Sequence, residues 1–166
     1  MPYVFRVPLM IKMQSEFKMI ELVAIEQYMD ISNIVEETAR ANVELTFEYY
    51  KKVGFVKPWI SYLIQFQDNY VGICAFKGQP IDNKVEIAYY TFPFYEGKGI
   101  ATEACKKLIK ITKHEDMNIT VIARTLPEKN ASTTVLLKNG FTLIGTVLDP
   151  EDGEVFEWSL NEKTAF

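Results

Sequence analysis

The chain has 166 residues, 48% of them apolar and 24% charged, with a formal net charge of -4; that size and balance suit one domain, residues 1–166, with its own core. The acidic balance and the lack of a basic face argue against a nucleic-acid partner. No apolar run reaches the ~18 residues a membrane span needs, and Arg6, Lys12, Glu16 and Lys18 break up the N-terminal apolar residues, so no membrane partner and no export signal are expected and the location should be cytoplasmic.

In chain order, residues 1–25 suggest one or two strands, with 17–24 the clearer. From 26 to about 53 the pattern turns helical. Asp30, Ser32 or Asn33 could cap a first helix, and Asn33 with Glu36 comes nearest to a capping box. A second helix over 43–52 should end at Gly54. Residues 59–67 and 70–76 read as a hairpin about the Asp68-Asn69 turn pair. A loop containing Pro80 follows, then a strand over 85–92. The clearest helix covers 98–113: Ala101, Ala104, Cys105, Leu108 and Ile111 recur at helical spacing, while Glu103, Lys106, Lys107, Lys110 and Lys113 take the other face. A strand over 118–123, a helix over 130–138 closed by Asn139-Gly140, and a hairpin of 141–148 with 155–160 complete the chain. The expected fold is α/β (α+β): a mixed, mostly antiparallel twisted sheet of about six or seven strands with helices on both faces.

The two cysteines, Cys74 and Cys105, sit in apolar runs without metal-type spacing and read as buried thiols. The single histidine, His114, lies in a charged run after a helix, which leaves no histidine-based triad and no expected metal.

Chemistry concentrates at Glu96-Gly97-Lys98-Gly99-Ile100-Ala101, between a strand and the long helix. Two glycines allow a tight turn and close backbone approach to a ligand. The helix start supplies unpaired N–H groups and the positive end of a dipole, an anion site suited to phosphate, with Lys98 at its rim. The bland alternative is a loop with a glycine cap. A Walker A run is absent, and a Rossmann turn fails at Thr102, where a third glycine is required. Arg124 stands where an acidic ribose ligand is expected; it would suit a 2′-phosphate and keeps an NADP-binding reading open.

Residues 85–113, VEIAYYTFPFYEGKGIATEACKKLIKITK, resemble the central motif of the GNAT family of N-acetyltransferases. The family signature Q/R-x-x-G-x-G/A falls on Glu96 to Ala101, and EGKGIATEA is similar to the branch that acetylates ribosomal-protein N-termini. A second block, Leu126 to Ser132 followed by Val135 to Phe141, resembles that branch's P-x-N-x-A-S and V-L-x-K-x-G-F block. The likeness covers about residues 60–160; residues 1–58 match in pattern only. Glu96 replaces the usual glutamine or arginine, the family's asparagine falls at Lys129 with Asn130 one place later, and Leu136 stands where many members carry a tyrosine acid.

The resemblance implies an acyl-CoA N-acyltransferase fold and acetyl-coenzyme A as cosubstrate. It implies direct attack, in a ternary complex, by a primary amine on a small molecule or a peptide N-terminus, and it leaves room for a homodimer. Cofactor contacts are expected from Tyr90, Thr91, Phe92, Glu96, Gly97, Lys98, Gly99, Ile100, Ala101, Thr102 and Asn130, with an oxyanion donor among the N–H groups of residues 90–92. Glu86 alternates with Ala88 and Tyr90 on one strand face and is the candidate base; Ser132 is the candidate acid. A solvated sheet-face carboxylate and a serine bonding backbone in a first helical turn are their bland counterparts. Of Tyr49, Tyr50, Phe55, Trp59 and Tyr62, most are expected in the core. Glu44 and Glu48 share a helix face and could meet a cationic acceptor. A coenzyme A-binding module with weak or no turnover is the alternative.

Overall fold

The computed structural model describes residues 20–160; the expected strand over 17–24 lies outside them in its first three positions. The elements run β1 (Ile20–Ala24), α1 (Glu37–Val53), β2 (Ser61–Phe66), β3 (Asn69–Phe76), β4 (Lys84–Thr91), a 3-10 turn (Pro93–Tyr95), α2 (Ile100–Glu115), β5 (Thr120–Thr125), α3 (Ala131–Lys138), β6 (Phe141–Asp149) and β7 (Gly153–Leu160). The strands form one seven-stranded sheet in the order β1-β2-β3-β4-β5-β7-β6. Every neighbouring pair is antiparallel except β4 with β5, which α2 joins as a crossover; α3 makes a second one, from β5 to β6 past the inserted β7. This is the mixed α/β fold expected, with helices on both faces: α1 lies over the side chains of Ile73, Ala75, Ala88 and Tyr90, and α3 meets the opposite face through Tyr89.

One expectation fails between residues 26 and 53. There is a single helix, α1, and residues 26–36 are turns. Asp30 accepts the Ser32 N–H at 2.8 Å, and the Ile34 N–H reaches Ile31 at 3.0 Å, so local bonds compete with helix. Tyr28 and Val35 are exposed while Ile25 and Ile34 are buried, so no helical stripe survives there. The Asn33–Glu36 capping box does not form; Glu36 precedes α1 and its carboxylate accepts the Tyr70 N–H at 3.4 Å. α1 starts six residues before position 43 because Ala39, Val43, Thr46 and Tyr50 form its buried stripe. Gly54 closes it as expected, its N–H donating to the Tyr50 carbonyl at 2.8 Å. Tyr50 then ties three segments together: its hydroxyl donates to the Ile25 carbonyl and accepts the Ser61 N–H.

The core fills both faces of the middle of the sheet: Ile64, Val85, Ile87 and Val121 turn toward α2, and Leu63, alternating with Ile64, turns to the face under α1. Leu63, Ile64, Val71, Val85, Ile87, Ala104, Cys105, Leu108 and Val121 are almost fully buried, and each large aliphatic among them contributes about 1.5–3 kcal/mol of hydrophobic stabilisation. α2 closes against this layer through Ala104, Cys105, Leu108 and Thr112, so its start is held rigidly at the C-terminal end of β4. The parallel pairing of β4 with β5 ends at Ile87 and Ala123. Beyond that point β4 continues to Thr91 alongside β3, and β5 continues to Thr125 alongside β7. The two strands part, and the gap between them opens beside the N-terminus of α2.

Candidate active site

The turn into α2 contains two left-handed glycines, Gly97 at φ 73° and Gly99 at φ 77°, a conformation that side chains with a Cβ avoid. The first helical bond runs from the Glu103 N–H to the Gly99 carbonyl at 3.1 Å. The N–H groups of Gly97, Lys98, Gly99, Ile100, Ala101 and Thr102 therefore have no hydrogen-bond partner among the described residues. A run of free amides with left-handed residues, placed on a helix N-terminus, forms an anion-binding concavity suited to phosphate oxygens.

This turn edges an open groove of about 530 Å³ that extends between α2 and α3. Tyr90, Thr91, Glu96, Gly97, Gly99, Ile100, Ala101 and Thr102 line it, as anticipated for cofactor contacts. Three anticipated residues do not. Phe92 is buried in the core and its N–H donates to the Val71 carbonyl at 2.9 Å. Lys98 folds back over the Tyr95 ring, its ammonium 5.5 Å from the centroid. Asn130 caps α3, its side chain accepting the Thr133 N–H at 3.1 Å while Thr133 Oγ1 accepts the Asn130 N–H.

The strand register narrows the oxyanion donor. The Lys77 N–H bonds the Glu86 carbonyl and the Phe92 N–H bonds that of Val71. By antiparallel alternation, Ala88 and Tyr90 also turn their N–H groups toward β3. The N–H groups of Tyr89 and Thr91 face the other way, into the gap where β5 has departed.

A second pocket, about 350 Å³, lies at the base of the gap and holds both Glu86 and Ser132. Glu86 Oε1 lies 3.2 Å from Lys77 Nζ, and Oε2 3.9 Å from the Arg124 guanidinium. Burial opposes the charge on Lys77, but the Glu86 carboxylate, with smaller contributions from Tyr49 and Asp149, leaves the pKa above its ordinary value. Arg124 is shared among Asp149 at 3.0 Å, Glu157 at 3.2 Å and Glu86. With three carboxylates around it, this guanidinium has no room for a 2′-phosphate, which removes the structural basis of the NADP reading. Asp152 also lines the pocket, so Glu86, Asp149 and Asp152 outnumber Lys77 and Arg124 there and the wall is net acidic.

Ser132 stands in the first turn of α3 and lines both the groove and this pocket. Its hydroxyl makes no hydrogen bond among the described residues, because Asn130 and Thr133 satisfy the helix start. Its carbonyl accepts the Tyr89 hydroxyl at 2.9 Å, and burial raises the pKa of that phenol far above its usual value. The Asn139 amide also bridges the Thr102 and Val135 carbonyls, fastening α3 to α2. Tyr89, Lys77 and Asn139 were missed by sequence reasoning. Alternation along β4 could have placed Tyr89, but the strand that brings Glu86 to Lys77 and the helix that brings Thr102 to Asn139 are not written in local sequence.

A third cavity, about 370 Å³, lies under α1. Of the aromatic stretch only Tyr49 lines it; Tyr50 and Tyr62 are buried, and Phe55 and Trp59 pack against the core. Glu44 and Glu48 are exposed and line none of these cavities, Glu48 pairing with Lys51. Leu136 is fully buried. Among the described residues no helix is long and apolar enough to cross a membrane, and no cluster of His, Cys, Asp or Glu is grouped to hold a metal.

Comparison with known proteins places this geometry. No curated protein sequence matches the chain. Among solved structures, RimL, a ribosomal L7/L12 α-N-protein acetyltransferase in complex with coenzyme A, is 20% identical with a TM-score of 0.62 over 84% of this chain and 92% of that one. The microcin C7 self-immunity acetyltransferase MccE, in complex with acetyl-CoA and AMP, is 20% identical with a TM-score of 0.57 over 74% and 69%. A chimera of Vibrio cholerae spermidine N-acetyltransferase SpeG with hSSAT is 14% identical with a TM-score of 0.63 over 88% and 97%. At these identities the likeness is one of fold. The acetyltransferase (GNAT) domain model matches residues 18–142, three quarters of the chain, and the protein therefore belongs to the GNAT acetyltransferases.

Proposed function

We propose that the protein transfers an acetyl group from acetyl-coenzyme A to a primary amine, by direct attack with both substrates bound. The observation that carries this reading is the run of free amides from Gly97 to Thr102 at the mouth of the gap between β4 and β5. These amides and the α2 dipole would hold the pyrophosphate. They do so without help from the Glu96 side chain, whose negative charge sits at the groove's edge. The cosubstrate supplies an activated thioester carbonyl.

The remaining work falls to side chains where the cavities meet. The groove shares Tyr89 and Tyr90 with the cavity under α1 and Ser132 with the acidic pocket, an arrangement that supports a ternary complex. An amine arrives protonated, with a pKa of about 8 for an α-amine and ~10.4 for a lysine-like one. Glu86 would accept its proton, directly or through water, the incoming ammonium displacing Lys77 from the carboxylate. The N–H groups of Tyr89 and Thr91 would steady charge on the acyl oxygen as the C–N bond forms. As the C–S bond breaks, Ser132 Oγ, free of other bonds, would give its proton to the departing thiolate and take up the second proton shed by the nitrogen, so that a neutral amide and a free thiol result.

Buried Leu136 at the position of the family's tyrosine acid favours a second reading, a coenzyme A-binding module with little turnover. Both are tested by measuring thiol release from acetyl-coenzyme A across peptides, amino-acid amides, polyamines and aminoglycosides, with cofactor binding followed by calorimetry. Transfer is expected with at least one acceptor class. Tight coenzyme A binding with silence across the whole panel would leave only the second reading, and absence of coenzyme A binding would remove both.

A further inference from the structure

The cavity under α1 has apolar walls. Leu45 and Tyr49 come from α1, Ile73 and Ala75 from β3, and Ala88 and Tyr90 from β4. Two of the polar α1 side chains that reach it are already occupied: Thr46 Oγ1 donates to the Asn42 carbonyl at 2.8 Å, and Asn42 Nδ2 to the Thr38 carbonyl at 2.8 Å, while Tyr49 brings a ring and a phenol hydroxyl. Lys77 is the one charged group in the lining, and it is a cation facing Glu86. At the mouth Leu45 is 68% exposed and Tyr90 46% exposed, two large apolar side chains that gain by being covered. The volume falls in the range of small-molecule sites. The cavity shares Lys77 and Ala88 with the acidic pocket that holds Glu86 and Ser132, and Tyr89 and Tyr90 with the groove.

We propose that this cavity receives a bulky apolar side chain borne on the carbon next to the reacting amine, so that the acceptor is a hydrophobic amino acid or a chain N-terminus of that type. The inference rests on the acetyl-transfer reading and names its acceptor class. With the amine beside Glu86, the neighbouring substituent meets Ala88, Tyr90 and the α1 wall. A polyamine would instead bring a second ammonium into apolar surroundings beside Lys77, with no carboxylate in the lining to receive it, an arrangement that desolvation and like-charge repulsion both oppose. A free amino acid and a chain terminus share the recognised chemistry and differ in the group that follows the α-carbon.

The test compares kcat/KM, with saturating acetyl-coenzyme A, for phenylalaninamide, leucinamide, glycinamide, free phenylalanine and spermidine. In parallel, calorimetry compares phenylalaninamide with glycinamide on protein saturated with coenzyme A. A preference of roughly tenfold or more for phenylalaninamide or leucinamide over glycinamide is expected, the scale of discrimination an apolar pocket achieves. Leu45→Asp, on an exposed position that folding tolerates, should narrow that ratio. Free phenylalanine ahead of its amide marks an amino-acid substrate, and the reverse order a chain terminus. A flat ranking, or spermidine ahead, overturns the hydrophobic acceptor while acetyl transfer stands. If no amine is acetylated although coenzyme A binds, the transfer reading fails instead, and equal calorimetric affinities for the two amides overturn the cavity assignment independently.

Discussion

Replacing Gly99 with leucine separates the shape of the turn from the ligand it would hold. Gly99 precedes α2 at φ 77°, and a Cβ built on it meets no atom within 4 Å. The substitution creates no internal clash, so its cost to folding is that of an L residue in the left-handed region, about 1–2 kcal/mol. For a chain of this length that lowers Tm by roughly 2–8 °C. The open space the new side chain enters is the approach to the free amides of Gly97 to Thr102. Losing one hydrogen bond to a charged phosphate is worth roughly 1.5–3 kcal/mol, a factor of about 10 to 150 in Kd. Gly54 provides the control: it sits at φ 86° and ψ 177°, equally clear of other atoms, at the end of α1 and outside the groove. Gly54→Leu should cost at least as much stability, because that backbone region is nearly exclusive to glycine, and should leave coenzyme A affinity unchanged. Both variants are read by thermal unfolding and by coenzyme A calorimetry. If Gly99→Leu stays folded and binds within about twofold of wild type, the phosphates do not sit on these amides and the reasoning fails.

Other outcomes follow from the same geometry. Glu86→Gln and Ser132→Ala should each lower kcat, by up to the 10²–10⁴-fold typical of general acid–base groups, with the Kd for coenzyme A unchanged; wild-type kcat in either variant removes that residue from the mechanism. Asp149 is held below its ordinary 3.8 by the N–H groups of Glu151 and Asp152 and, against the effect of burial, by Arg124. A depressed carboxyl stabilises the fold fully above its unfolded value, and that stability is lost as pH falls through the folded value. The Tm gap between wild type and Asp149→Asn should therefore be constant above about pH 5 and close as the pH drops below 3.8; a gap that widens toward acid contradicts this. Burial pushes the thiol of Cys105 up to about 12 and that of Cys74 higher still, so a disulfide reagent at pH 8 should titrate neither thiol in the native protein and both after unfolding. Rapid native labelling would contradict their burial.

The parts of the fold that were legible in advance are those whose signal is local. α2 announced itself by the spacing of Ala104, Cys105 and Leu108, the turn before it by Gly97 and Gly99, and the two hairpins by polar turn residues between apolar runs. Residues 26–36 were misjudged because Ile25 and Ile34 are buried by contact with distant elements, with no stripe of their own to make a helix. In the site, the same division holds. Most of the groove-lining residues lie in one contiguous segment and were foreseen; of the others expected to contact cofactor, the Phe92 side chain lies in the core, that of Lys98 over the Tyr95 ring and that of Asn130 at a helix cap.

Local side-chain chemistry in this chain specifies a strand, a glycine turn and a helix start with free amides, because φ preferences and helical periodicity act within a few residues. What the amides face, and which groups gather opposite them, depends on strand register over tens of residues. Lys77 reaches Glu86 only because β3 pairs with β4; Arg124 meets Asp149 and Glu157 only because β7 lies between β5 and β6; and the gap itself exists only because β4 and β5 stop pairing at Ile87 and Ala123. Those contacts are settled by burying the shared core, a condition that the whole chain satisfies together and that no single segment encodes.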